Sequence, residues 1–246
     1  MKKTGIVIGI IAAVAFIAAV WVAGYYFYKT KGPAKTMSVV GLAEQDFESD
    51  LIVWDLNYSV RNMNMKDAYS VLKQQNNIVK EYLKSKGLND DEMIFNAVTH
   101  YADNDWEWNE VARRSFEVFK GYVLTQSIRI ESTDVEKIEK ISREVTELLD
   151  QGIQIDMNNV SYYYTKLADL KIEMLANATK DARNRAETIA KNAGSNLGGL
   201  KTANMGVFQI TAPNSADEDY SWGGTFNTSS KQKRASINMK LTYYVK

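Results

Sequence analysis

Along residues 51–61 apolar and polar side chains alternate. Ile52, Trp54, Leu56, Tyr58 and Val60 are interleaved with Val53, Asp55, Asn57, Ser59 and Arg61, the period of two that a strand with one buried face requires. From residue 64 the spacing becomes helical. Ala68, Val71, Leu72, Ile78, Val79, Tyr82 and Leu83 fall on one face of a helix over 64–86, and Gly87 supplies a stop. Residues 36–46 read as a strand in which Gly41 marks a bulge or a close approach. A strand over 93–101, a polar loop over 102–115 and a long strand over 116–131 follow. Thr133 to Glu136 has capping-box form. The helix behind it turns Val135, Ile138, Ile141, Val145 and Leu148 inward and stops at Gly152. Then come a strand over 153–164, a helix over 167–193, a strand over 200–211 and a loop over 212–232. In the final strand Ala235, Ile237, Met239, Leu241, Tyr243 and Val245 face one way. The order β-β-α-β-β-α-β-α-β-β contains no run of parallel βαβ units. It predicts an α+β fold: a mostly antiparallel sheet with helices packed on one face.

Within the helix over 167–193, Ala178, Ala182, Ala186 and Ala190 recur every four residues. Such a stripe drifts only about 40° per step and admits another backbone at close range. Arg183, Arg185, Glu187 and Lys191 lie off it, Gly194 ends the helix, and Gly198-Gly199 allow a turn into the next strand. The stripe is expected to pack on the protein's own sheet; a subunit contact is the sharper alternative.

A different pattern opens the chain. Gly5 to Tyr28 is a run of 24 uncharged residues, about 36 Å as a helix and enough to cross a hydrocarbon layer of about 30 Å. Trp21, Tyr25, Tyr26 and Tyr28 gather at its far end, as in a membrane-interface belt. This predicts a short basic N-terminus over 1–4, one N-terminal transmembrane helix over 5–28, a linker over 29–35 and a folded domain over 36–246. A cleaved signal peptide is the rival reading. Its apolar core is ordinarily shorter, and no clean small-x-small site follows. Lys2 and Lys3 flank one end of the run and Lys29, Lys31 and Lys35 the other. The basic start favours an inside N-terminus in a bacterial inner membrane, with the domain in the periplasm.

Composition narrows the chemistry. The chain has no Cys and a single His, His100. Thiolate nucleophiles, disulfides and multi-His metal sites are thereby removed. Four of the 30 basic residues, Lys2, Lys3, Lys29 and Lys31, precede residue 35 and no acid precedes Glu44. The domain is therefore slightly acidic, which argues against a nucleic-acid partner. His100 reads as a structural strand residue before a general base. Asp103, Asp105, Glu107 and Glu110 surround Trp106 and Trp108 in a stretch without EF-hand spacing; a solvated or partner-binding loop is expected, not a metal site. Asp217, Glu218 and Asp219 with Tyr220 and Trp222 occupy the long loop, whose length signals function or disorder. Lys231, Lys233 and Arg234 read as a solvated strand flank. No cofactor motif and no catalytic constellation is present.

The ladder Ala178-x3-Ala182-x3-Ala186-x3-Ala190-x3-Gly194-x3-Gly198, with Val40-Gly41, Gly121-Tyr122 and the alternating last strand, resembles the signature of the SIMPL domain family over most of residues 36–246. Glu48-Ser49-Asp50 replaces a common Pro-Asp turn, and Arg185-Ala186 a common Lys-Ala. The resemblance implies a bacterial envelope protein, in a family some of whose members resemble ring-forming or channel-like oligomers. It brings no catalytic residues. The expected role is non-enzymatic: membrane attachment through residues 5–28 and association with itself or with envelope proteins through Trp106, Trp108, the Ala stripe, Tyr220 or Trp222. A periplasmic small-ligand module is the alternative. A carboxylate-based hydrolase would need two acids about 5–10 Å apart across a cleft, and no specific pair suggests itself.

Overall fold

A computed structural model describes residues 2–31, 35–214 and 223–246. Helix α1 spans Lys2–Lys31. It is followed by β1 (Thr36–Glu48), β2 (Leu51–Asn62), α2 (Met65–Ser85), β3 (Met93–Phe95), β4 (Thr99–Asn109), β5 (Arg114–Ser132) and α3 (Val135–Glu144). A 3-10 turn over Val145–Gln151 leads to β6 (Gln154–Tyr163), α4 (Leu167–Asn192), β7 (Leu197–Met205), β8 (Gln209–Thr211) and β9 (Gln232–Val245). The fold is α+β with antiparallel strand pairing, preceded by an apolar helix. In α1, Ile11–Lys29 is long and apolar enough to cross a membrane, and none of it is buried by the rest of the chain.

The strands form two sheets where one was expected. The first has the order β1-β9-β7, with β8 also on β9; the second has the order β3-β5-β2-β6, with β4 on β5. The chain divides into two compact units. One holds Met1–Ala43, Leu175–Gly206 and Ile237–Lys246; the other holds Glu44–Met174 and Val207–Ser236.

In the larger unit the alternation of β2 is realised. Ile52, Trp54, Leu56 and Tyr58 are fully buried and form one cluster with Ala68, Leu72, Val79 and Leu83 of α2 and Ile138, Ile141 and Leu148 of the α3 segment. Helix α2 packs on β2 and β5, and α3 on β2 and β6. Helix α2 buries a narrower stripe than its spacing suggests. Val71 and Ile78, expected inside, are exposed, because each lies a full 100° step from the buried Leu72 and Val79. Inside this core the Tyr58 hydroxyl donates to Asn76 Oδ1 at 2.7 Å, and Asn76 Nδ2 donates to Gln126 Oε1 at 3.1 Å. Burial pushes the Tyr58 hydroxyl pKa upward. The hydroxyl therefore stays a donor, and the chain of bonds fixes α2 on the sheet.

The smaller unit buries Val39, Ala182, Ala186, Leu241 and Tyr243 together. Here α4 lies very close to β1. A Cβ placed on Gly41 would sit 2.2 Å from the Ala178 carbonyl oxygen and 2.4 Å from the Ala182 nitrogen; only glycine leaves room for those backbone atoms. The approach brings Leu42 N–H to Asp181 Oδ2 at 2.9 Å, and Arg185 Nε holds the same oxygen at 2.8 Å. Together, the amide first, they lower the Asp181 pKa. Helix α4 ends as predicted. Gly194, at φ 68°, donates to Lys191 O and Ser195 N to Ala190 O, a Schellman stop. Gly87 and Gly152 end their helices with the same pair of bonds.

Other local expectations shift. The N-cap of α3 is Asp134, which accepts from Lys137 N. A carboxylate one residue on displaces the Thr133 hydroxyl from that role. Gly198-Gly199 lie inside β7 rather than in a turn, and a Cβ on Gly198 would meet Tyr244 O at 2.8 Å. Lys233 is 1% exposed, not solvated. Its ammonium donates to Asn227 O at 2.6 Å and Ser230 O at 2.7 Å, tying the segment before β9 to the start of that strand. Arg234 is held by Asp46, and Lys231 by Glu48 and Glu136.

Candidate interaction surface

The polar stretch over 102–115, expected as a loop, is a β-hairpin. Strand β2 accompanies β5 only as far as Asn62 opposite Tyr122. Beyond that point β5 pairs with β4 alone, down to Asn109 opposite Arg114. The two strands thus leave the sheet as an arm. Asn109 Oδ1 closes the tip by accepting from Val111 N and Ala112 N, and Arg113 takes φ 49°. A bulge between Asp103 and Asn104, with Gly121 at φ 130°, marks where the arm begins.

The register assigns the faces. Opposite residues share a face, and every second residue returns to it. One row runs through His100 and Leu124, Ala102 and Tyr122, Asn104 and Phe119, Trp106 and Glu117, then Trp108 and Ser115. Leu124, Ile128 and Ile130 of this row belong to the helix-covered core. The same face therefore continues onto the arm, where its side chains are exposed among the described residues. Phe119 and Tyr122 rings touch across the bulge at 5.0 Å between centroids. Trp106 is 68% exposed, Trp108 58%, and Val111 at the tip 96%. The opposite face carries Lys120 paired to Glu107 and Arg61 paired to Asp103.

Where α2 begins, the same face bears an apolar groove of about 590 Å³. It is lined by Met65, Tyr69, Val98 and Leu124, with Asn64, Lys66 and His100 at its polar margin. His100 is exposed and is aligned opposite Leu124.

The chain matches the SIMPL family, described as a protein of unknown function (DUF541), over residues 37–241. It belongs to the SIMPL family. The match spans both units of the SIMPL domain. No curated protein matches the chain.

Of the residues singled out in the sequence, this SIMPL domain brings Trp106 and Trp108 together on one exposed face. It does the opposite with the Ala stripe. Ala178, Ala182 and Ala186 are fully buried and Ala190 is 3% exposed. They pack inside the smaller unit, Ala178 and Ala182 against β1 at Gly41 and Ala182 and Ala186 with Val39, Leu241 and Tyr243, so the stripe itself is not exposed to a second subunit. Tyr220 and Trp222, with Asp217, Glu218 and Asp219, lie outside the described residues. Among the described residues no three His, Asp or Glu side chains are grouped as a metal site requires. The groove was missed in the sequence. Its residues come from three segments, and only Tyr69 and Met65, one helical turn apart, give a local signal.

Proposed function

We propose that this SIMPL protein is a membrane-tethered, non-enzymatic interaction module. Helix α1 anchors it in the bacterial inner membrane, the domain works in the periplasm, and the β4–β5 arm joins copies of the chain to one another. The observation that carries the reading is the arm: Trp106, Trp108 and Phe119 continue a core face into solvent. Burying an aromatic side chain of 150–250 Å² is among the largest contributions a single residue makes to an interface. The length and apolar character of Ile11–Lys29 support the tether.

Two copies of the full chain carrying different tags, co-expressed and extracted in detergent, test it. One tag should recover the other, and Trp106→Ala with Trp108→Ala should abolish that recovery. Undiminished recovery by the variant overturns the role of the arm. The groove supports a second reading, a small-ligand module, because its volume falls in the range of ligand pockets. Saturable quenching of tryptophan fluorescence by an apolar probe, abolished by Tyr69→Ala, would favour it.

A further inference from the structure

Resting on the small-ligand reading of the groove, we propose that its ligand is a small monocarboxylic acid, with an apolar ring or short chain for a body and one carboxylate at its end. The lining supplies both halves of that description. Met65, Tyr69, Val98 and Leu124 form the apolar part. Leu124 belongs to the buried core and Val98 packs against it, so this side of the groove is held by the sheet. Tyr69 and Met65 are the exposed side, on α2.

The polar margin consists of hydrogen-bond donors. The Asn64 side-chain oxygen is already used: it accepts from Lys66 N at 2.9 Å and from Asp67 N at 3.4 Å. That cap fixes the amide, and what Asn64 has left for a ligand is its two N–H donors. Lys66 brings an ammonium, which has donors and no acceptor. It makes no ion pair among the described residues, whereas Lys80 and Lys84 of the same helix share Asp90. The ring of His100 donates in either charge state. Among the described residues no Asp or Glu lines the groove. Asp103, the nearest acid along β4, is on the opposite face and is paired to Arg61. Donors from three side chains around one permanent cation call for an acceptor with a single negative charge. A carboxylate supplies it in charge-assisted hydrogen bonds. An amine would meet Lys66 with like charge, and a doubly charged phosphate would keep one charge without a partner.

Matched probes test this on the full chain in phosphatidylcholine nanodiscs, with empty nanodiscs subtracted. In equilibrium dialysis, radiolabelled phenylbutyrate should bind saturably. Unlabelled phenylbutanol should compete about tenfold more weakly, and phenylbutylamine not at all. Lys66→Glu should reverse the order in favour of the amine, and Tyr69→Ala should weaken every probe. Both positions are exposed, and thermal unfolding unchanged from wild type shows that folding is intact. If acid and alcohol bind alike and Tyr69→Ala weakens both, the groove takes apolar molecules without selecting an anion: this proposal falls and the small-ligand reading stands. If none of the three probes binds, both fall. Phenylbutyrate binding that survives Lys66→Glu and Tyr69→Ala lies elsewhere and overturns the proposal. A peptide ending in phenylalanine that competes at lower concentration than phenylbutyrate also overturns it, by making the occupant a protein terminus.

Discussion

Helix α4 and the β4–β5 arm each repeat one side-chain type at a fixed spacing, and they use the repeat in opposite ways. In α4 the residue is alanine, every four positions, and its smallness is consumed inside the unit by the backbone of β1 at Gly41. On the arm the residue is tryptophan, at two alternate positions, and among the described residues its bulk is left mostly exposed. Periodicity alone therefore does not tell an internal seam from an external one. Side-chain volume does. Small residues mark where the chain has already found its own partner. Large ones on an exposed face mark the surface we propose for a partner.

The comparison breaks hardest at Gly41. Gly41→Ala places a methyl against the Ala178 carbonyl and the Ala182 amide, and helix backbone cannot yield as a side-chain tip can. A loss of about 3 kcal/mol in unfolding free energy is expected by denaturant titration. At the end of the same helix, Gly194→Ala forces a left-handed residue to carry a Cβ and should cost about 1 kcal/mol. Asp181 gives a pH signature. Its folded pKa is lowered, so its contribution is present above the ordinary aspartate value of about 3.9 and is lost as pH falls through the folded value. Melting temperature followed from about pH 5 to pH 2 should fall less steeply in Asp181→Asn than in the wild type. The smallest effect on stability belongs to the arm. Trp106→Ala with Trp108→Ala should change unfolding free energy by less than about 0.5 kcal/mol. A loss of several kcal/mol there would mean that the arm, too, is spent internally.

Much of the fold was legible because burial contrast was written into the spacing. Strand β2 alternates cleanly, the α3 segment shows its inward row, and the glycines at 87, 152 and 194 announce their helix ends. The arm was illegible for the opposite reason. From residue 104 to 117 both of its faces meet solvent, so polar residues occupy the aromatic face as well, and Asp and Asn weaken the strand signal. Trp106 and Trp108 were singled out, but as members of a loop. Their shared face follows only from pairing with β5. The groove needed the tertiary structure, since Val98, Leu124 and Met65 are distant in sequence. Lys233 was misplaced because alternation at the start of β9 gives no sign of the acceptors that Asn227 and Ser230 supply.

The claim that the arm joins copies of the chain is tested most directly by the mass of the full chain in detergent, measured by light scattering behind size exclusion. Wild type should elute as a defined multimer. Trp106→Ala with Trp108→Ala should elute as a monomer with an unchanged melting temperature. Equal masses for the two, or a wild-type monomer across a wide concentration range, would contradict the account.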